Sequence, residues 1–283
     1  MVSLLKPIGH CFGVIKAIEL ARDIVSKYAD KNIYVFGLLV HNEEVTKYLE
    51  SLGIKTVDTS IDSPLNLLKK FTKDDIVIFT AHGHPKAYEE ILDSRGVTYF
   101  DATCHKVKEC FKQIKEANEV IYIGKMNHPE TNAALTMNEK AHLYDISKGF
   151  DYSVLSSDNP LVINQTTLSF IELDAIHQEI KNKLHDAIFA EEICNATLLR
   201  QIAINELDTD IDTLIIVGSK KSSNTMKLFD IAKLRHPDMQ ILLVNNVDEL
   251  KECHLVYKNA VIASGTSTSI ETIKQIEHYL NNI

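Results

Sequence analysis

Short apolar runs alternate along this chain with longer stretches expected to be helical, and the alternation repeats. Ile33 to Gly37, Val120 to Gly124 and Leu214 to Gly218 are each an apolar run closed by glycine. Runs of this length bounded by turn residues predict buried strands. A polar loop follows each one: His41-Asn42, His128-Pro129-Glu130 and Ser222-Ser223-Asn224. Their residue types suit the first turn of a helix. A second strand and second polar loop come later in each third. These are Ile76 to Phe79 with Ala81-His82-Gly83, Leu161 to Ile163 with Asn164 to Thr167, and Val261 to Ala263 with Ser264 to Thr268. Strands alternating with helices predict parallel sheets covered on both faces. In such sheets ligands gather beyond the carboxyl ends of the strands, where these loops fall.

The cysteines follow the same repeat. Cys11, Cys104 and Cys194 recur at intervals of about 90 residues, each just before an expected helix. The repeat divides the chain into three α/β domains, 12–101, 102–190 and 191–283, with residues 1–11 joining the third. Cysteines so far apart lack the close spacing of a zinc ribbon or a ferredoxin. Three thiolates from three repeats can still hold three irons of a cubane cluster, and a helix N-terminus favours the thiolate form. Cys110 and Cys253 lie outside the repeat positions and are expected to be inert.

The segments Gly9-His10-Cys11-Phe12-Gly13-Val14, Asp101-Ala102-Thr103-Cys104 and Ile193-Cys194-Asn195-Ala196-Thr197, continued by Arg200-Gln201, resemble the three cysteine motifs of the 4-hydroxy-3-methylbut-2-enyl diphosphate reductase family. The loop motifs around His41, His82, His128, Thr166 and Ser222 also occur in that family's order, so the resemblance spans residues 9 to 269. It implies three similar α/β domains with mainly parallel sheets in a pseudo-threefold arrangement around a central 4Fe-4S cluster, whose metal ligands would be Cys11, Cys104 and Cys194. It implies reductive loss of an allylic hydroxyl, giving isopentenyl and dimethylallyl diphosphate, with electrons from a ferredoxin or flavodoxin-type donor. It assigns the substrate's diphosphate to His41, His82, His128, Ser222, Ser223, Asn224 and Ser267, and the hydroxyl and proton path to Thr166 and Thr167. Glu130, the one carboxylate among the matched loops, is the expected proton donor, with Thr166 and His128 beside it. His105 after Cys104, Lys16, and the Ser264 to Ser269 loop depart from the usual pattern and bear on tuning.

Composition narrows the alternatives. The chain has 283 residues, 45% of them apolar, which suffices for a substantial core. A net charge of −9 with no basic run argues against a mainly electrostatic nucleic-acid binder. An odd count of five cysteines argues against a disulfide framework. No apolar run has membrane-spanning length and no export signal opens the chain, so a cytoplasmic protein is expected. Of 12 histidines, His142, His177, His185, His236, His254 and His278 need no function, while His10, His84 and His105 adjoin motifs. Two rival readings remain: a zinc-dependent hydrolase using His41, His82 and His128, and a non-catalytic protein binding phosphorylated metabolites.

Overall fold

The computed structural model describes residues 1–190 and 193–283. The chain begins with β1 (Val2–Leu4) and α1 (Phe12–Lys27), then runs through β2 (Asn32–Phe36), α2 (Glu43–Ser51), β3 (Lys55–Val57), α3 (Pro64–Leu68), β4 (Asp75–Phe79), α4 (Lys86–Ser94) and β5 (Thr98–Asp101). The pattern returns in α5 (His105–Glu116), β6 (Val120–Gly124), α6 (Pro129–Ala134), β7 (Ala141–Asp145), β8 (Leu161–Asn164), α7 (Phe170–Lys183) and β9 (Ile188–Phe189). It closes with α8 (Asn195–Asn205), β10 (Thr213–Val217), α9 (Ser223–Arg235), β11 (Gln240–Val244), α10 (Val247–Lys251), β12 (Ala260–Ser264) and α11 (Ile270–Leu280).

Every named strand pair is parallel, in three sheets of four strands: β3-β2-β4-β5, β7-β6-β8-β9 and β1-β12-β10-β11. Read from β11 to β1, the last sheet has the same order as the others, with the chain's first strand in the fourth place. The central strands are mostly apolar, with polar residues confined to their ends. β6 and β10 are buried at every position, as expected for strands covered on both faces. In each sheet the order reverses between the two central strands, β2 and β4, β6 and β8, or β10 and β12. Such a switch point leaves a crevice at the strands' carboxyl ends, and all the polar loops singled out above leave one of these six strands.

The chain forms two compact units, one built mainly from Phe12–Thr166 and the other from Met1–Cys11, Thr167–Asp174 and Ile193–Ile283. The first holds the β2 and β6 sheets. One core there gathers Phe36, Leu68, Val77, Phe79 and Leu92, and another gathers Val107, Phe111, Ile114, Tyr122 and Ile163. The second unit holds the β10 sheet, with Leu214, Ile216 and Leu228 packed on one face and Ile215, Ile262 and Ile276 on the other. Among the described residues no helix is long and apolar enough to cross a membrane.

Candidate active site

Each repeat cysteine stands at the start of a helix. Cys104 is the N-cap of α5, Cys194 is the N-cap of α8, and Cys11 immediately precedes α1. All three are thiols and only partly buried. Their backbones are tied down: the Cys104 amide donates to the Ala81 carbonyl at 3.0 Å and the Cys11 amide to the Thr266 carbonyl at 2.9 Å. Within the second unit the Arg200 guanidinium, 5% exposed, donates to the Gly9 and Ala196 carbonyls at 2.7 Å each. Burial lowers its pKa, and the sulfurs of Cys11 and Cys194 beside it oppose that shift. Partly exposed thiols held at helix starts suit soft metal ligation. The other two do not. Burial pushes the Cys110 thiol far above its ordinary value, and Cys253 donates to the Glu249 carbonyl.

Three histidines from three different loops of the first unit meet. The His41 and His82 rings stack at 4.5 Å, and His128 lies 6.0 Å from the first and 5.7 Å from the second. One nitrogen of each lies within 4.8 Å of the others, close enough for all three to share one small ligand. Local structure explains the placement. Asn42 caps α2 through the Glu44 and Val45 amides, which puts His41 just ahead of the helix. Gly83, at φ +86, permits the turn after His82, where a β-carbon would come 2.5 Å from the Phe111 ring. His128 caps α6, with Pro129 at its first position, and its Nδ1 accepts the Glu130 amide at 3.2 Å. The neutral ring therefore carries its proton on Nε2, which is buried and has no hydrogen-bond partner among the described residues. Burial and the neighbouring His41 bring the His128 pKa down to about 3, and burial with both neighbours lowers that of His82 well below the usual value. N–H donors clustered in this way, with His82 and His128 held neutral, invite an anion, whose charge would favour the donor forms.

Beside His128 lies Glu130, 1% exposed. Its Oε1 accepts the Thr166 amide at 2.8 Å and the Tyr122 hydroxyl at 3.3 Å, and its Oε2 accepts the Thr166 hydroxyl at 2.9 Å. Burial raises its pKa to about 7 and these donors hold the rise in check. A carboxyl poised near neutrality and in contact with a hydroxyl is equipped for proton transfer.

The second unit offers neutral donors at the equivalent loops. Ser222 caps α9 through the Thr225 amide, and the Thr167 hydroxyl donates to Ser223 at 3.1 Å. Asn224 is 2% exposed, and neither atom of its side-chain amide has a hydrogen-bond partner among the described residues. Ser267 is buried on the turn after β12. Within that departing loop, Ser264 accepts the Gly9 amide at 3.0 Å and so braces the segment leading to Cys11. The other departures serve local packing. His105 stands edge-on to Phe12, with its Nδ1 3.9 Å from the Cys104 sulfur, and Lys16 pairs with Glu19. His84 stacks on Phe79 and bonds Glu89, His142 bonds Glu119, and His236 bonds the Ile204 carbonyl.

Comparison with known proteins then fixes the family: the family model described as LytB protein matches residues 2–281. The chain belongs to the LytB family. Its relatives include the 4-hydroxy-3-methylbut-2-enyl diphosphate reductase of Bacillus pumilus, 33% identical over 288 residues that cover 99% of this chain and 90% of that protein. The reductase of the same name from Fusobacterium nucleatum is 34% identical over 98% of this chain, which spans only 34% of that longer protein. Among solved structures, the E-1-hydroxy-2-methyl-but-2-enyl-4-diphosphate reductase of Plasmodium falciparum superposes with a TM-score of 0.85 at 28% identity, over 100% of this chain and 87% of that one. A second, described as (E)-4-hydroxy-3-methyl-but-2-enyl diphosphate reductase, the terminal enzyme of the non-mevalonate pathway, gives 0.69 at 27% identity over 100% and 99% of the two chains. Neither the zinc hydrolase nor the binding-protein reading gains support from these LytB relatives.

The structure adds residues that the motifs left without a role. Arg200 was visible only as the continuation of the Cys194 motif, and its link to Gly9 joins residues 191 apart in the chain. Tyr122 read as one more apolar strand position in β6. Gln165 accepts from the Lys125 amide and the Thr131 hydroxyl, tying the loops after β6 and β8 together.

Proposed function

We propose that this LytB-family chain reduces 4-hydroxy-3-methylbut-2-enyl diphosphate, replacing the allylic hydroxyl with hydrogen to give isopentenyl and dimethylallyl diphosphate. Two electrons and two protons enter, and the hydroxyl leaves as water. The observation that carries the reading is a buried carboxyl of pKa about 7, hydrogen-bonded to Thr166, next to a nest of three imidazoles. The three domains would follow the three sheets, at 12–101, 102–190 and 191–283 with 1–11.

Cys11, Cys104 and Cys194 would hold a 4Fe-4S cluster. The donor set fits: three partly exposed thiols at helix starts, two of them beside a buried arginine. When bound, such a cluster supplies electrons and Lewis acidity at the departing hydroxyl. The side chains do the rest. His41, His82 and His128 donate N–H groups to the diphosphate, with Ser222, Ser223, Asn224 and Ser267 as further donors, and Thr167 lies near the substrate hydroxyl. The buried Asn224 amide and the His128 Nε2, both lacking partners among the described residues, support this. Glu130 gives its proton to the leaving oxygen through Thr166. Because the protonated carboxyl is the working form, turnover should hold below pH 7 and decline above it. A ferredoxin or flavodoxin-type carrier would deliver the electrons, and a cytoplasmic location accompanies this reading.

The test is anaerobic purification followed by a visible spectrum, iron and sulfide analysis, and turnover of the allylic diphosphate with a chemical reductant. Cys11→Ser, Cys104→Ser and Cys194→Ser should each lose iron and turnover, whereas Cys110→Ser and Cys253→Ser should keep both. Full iron and activity in any of the first three would remove that cysteine from the ligand set. Turnover by a colourless, iron-free protein would overturn the reading.

A further inference from the structure

Tyr122 sits in the middle of β6, completely buried among Val107, Phe111, Ile114 and Ile163. Its neighbours Ile121 and Ile123 are aliphatic, and a phenol O–H in such a place is costly unless it finds a partner. Its hydrogen goes to Glu130 Oε1, 3.3 Å away, and the Thr131 hydroxyl also bonds the phenol oxygen. We propose that Tyr122 is a positioning residue for Glu130, its hydroxyl fixing which carboxyl oxygen carries the acid proton and aiming that proton at Thr166. This rests on the assignment of Glu130 as proton donor given above.

Glu130 Oε1 faces two hydrogens, from the Thr166 amide and the Tyr122 hydroxyl, so a proton placed there would meet donors on both sides. Among the described residues Oε2 faces only the Thr166 hydroxyl, which can turn and accept instead. The acid proton therefore belongs on Oε2. Once Oε2–H donates to Thr166 Oγ1, the threonine's own proton is free to point onward. Tyr122 keeps its hydrogen throughout, because burial and the nearby carboxylate raise its pKa well above the ordinary value. The other titratable neighbours are Cys110 on α5, held neutral by burial, and His128, whose Nδ1 takes the Glu130 amide. Without the tyrosine hydroxyl, a single amide would hold Oε1, and the proton would spread over both oxygens.

The strand end is shaped around this ring. A β-carbon on Gly124 would come 2.8 Å from Tyr122 Cε1 and 2.6 Å from the Thr131 hydroxyl, so glycine there leaves both in place.

The experiment is anaerobic steady-state kinetics on cluster-loaded Tyr122→Phe, Glu130→Gln and the double variant, with iron content and KM measured on the same preparations. Phenylalanine keeps the ring and removes only the hydroxyl. Tyr122→Phe should lower kcat about three- to tenfold with KM and iron unchanged. The alkaline limb of its pH profile should move upward, because a donor to the carboxylate has gone. In the Glu130→Gln background the same change should add nothing. An unchanged kcat and pH limb would overturn the proposal. So would an equal loss in the Glu130→Gln background, which would make the tyrosine a packing residue. Normal turnover by Glu130→Gln alone would instead remove the acid itself, and the tyrosine's role with it. Infrared titration gives a readout independent of turnover. The carboxyl band that disappears in Glu130→Gln should titrate at higher pH in Tyr122→Phe, and an unmoved band would refute the link.

Discussion

The loops after β6 and β10 are built alike and filled differently. Each strand runs into a glycine, Gly124 or Gly218, and each loop opens a capped helix, by His128 in one and Ser222 in the other. In each, a threonine hydroxyl crowds that glycine: Thr131 Oγ1 would meet a β-carbon on Gly124 at 2.6 Å, and Thr225 Oγ1 one on Gly218 at 2.8 Å. The residue before the threonine is Glu130 in one loop and Asn224 in the other, 1% and 2% exposed. Glu130 accepts three internal hydrogen bonds, while neither side-chain amide atom of Asn224 has a partner among the described residues. A buried group with all its partners supplied from within is prepared for chemistry of its own. A buried group left without partners points to a ligand that will supply them. One scaffold position thus serves as an acid in one repeat and as a recognition group in another.

The largest expected break in this comparison comes from Glu130→Gln. The amide keeps the shape and the hydrogen-bonding capacity, so cluster content and substrate affinity should survive. Turnover should fall by about 10²-fold or more if proton delivery limits the reaction. Anaerobic kinetics beside iron analysis would check it, and near-normal turnover with an intact cluster would leave Glu130 with only a helix-start role.

Stability offers a second handle on the same carboxyl. Its folded pKa of about 7 lies above the ordinary value of 4.5, so the folded state holds the proton more tightly than the unfolded one. The resulting stability is present in full below about 4.5 and is lost as pH rises through 7, on the order of 3 kcal/mol in all. Urea unfolding of Glu130→Gln from pH 5 to 8 should lack this decline. An identical slope in both proteins would mean that the carboxyl is not desolvated.

The smaller effect belongs to Asn224. Replacing it with leucine removes an amide that has no internal partner, so stability without ligand should hold or rise by about 1 kcal/mol. Diphosphate affinity should drop roughly tenfold. Calorimetry on the variant would decide the matter, since a loss of stability with unchanged affinity would assign Asn224 to the core.

Much of this arrangement was legible in the chain. The apolar runs ending at Gly37, Gly124 and Gly218 mark β2, β6 and β10 to within a residue, and the runs after Ile76, Leu161 and Val261 mark β4, β8 and β12. Fully buried parallel strands leave an unbroken apolar signature. The edge strands were harder to see: β3, β9 and β11 are only partly covered, β3 includes Lys55 and Thr56, and β9 is only two residues long. Of the site, the histidines and cysteines stood out by chemistry. Tyr122 did not, because a tyrosine inside an apolar strand reads as packing until its oxygen is placed. Arg200 and Gly9 could be joined only by tertiary structure.

The hydrogen bond from the Cys104 amide to the Ala81 carbonyl connects two tasks that the sequence keeps apart. It fastens the N-cap of α5 to the turn carrying His82, and the Ala102 amide adds a second tie, to the Phe79 carbonyl. Local unfolding of that turn must therefore loosen the backbone of the cysteine as well. On the proposed reading, metal at Cys104 and an anion at His82 both favour the conformation in which these two backbone ties are made. Each would then slow hydrogen exchange at the other's amides, and by reciprocity each would strengthen the other's binding.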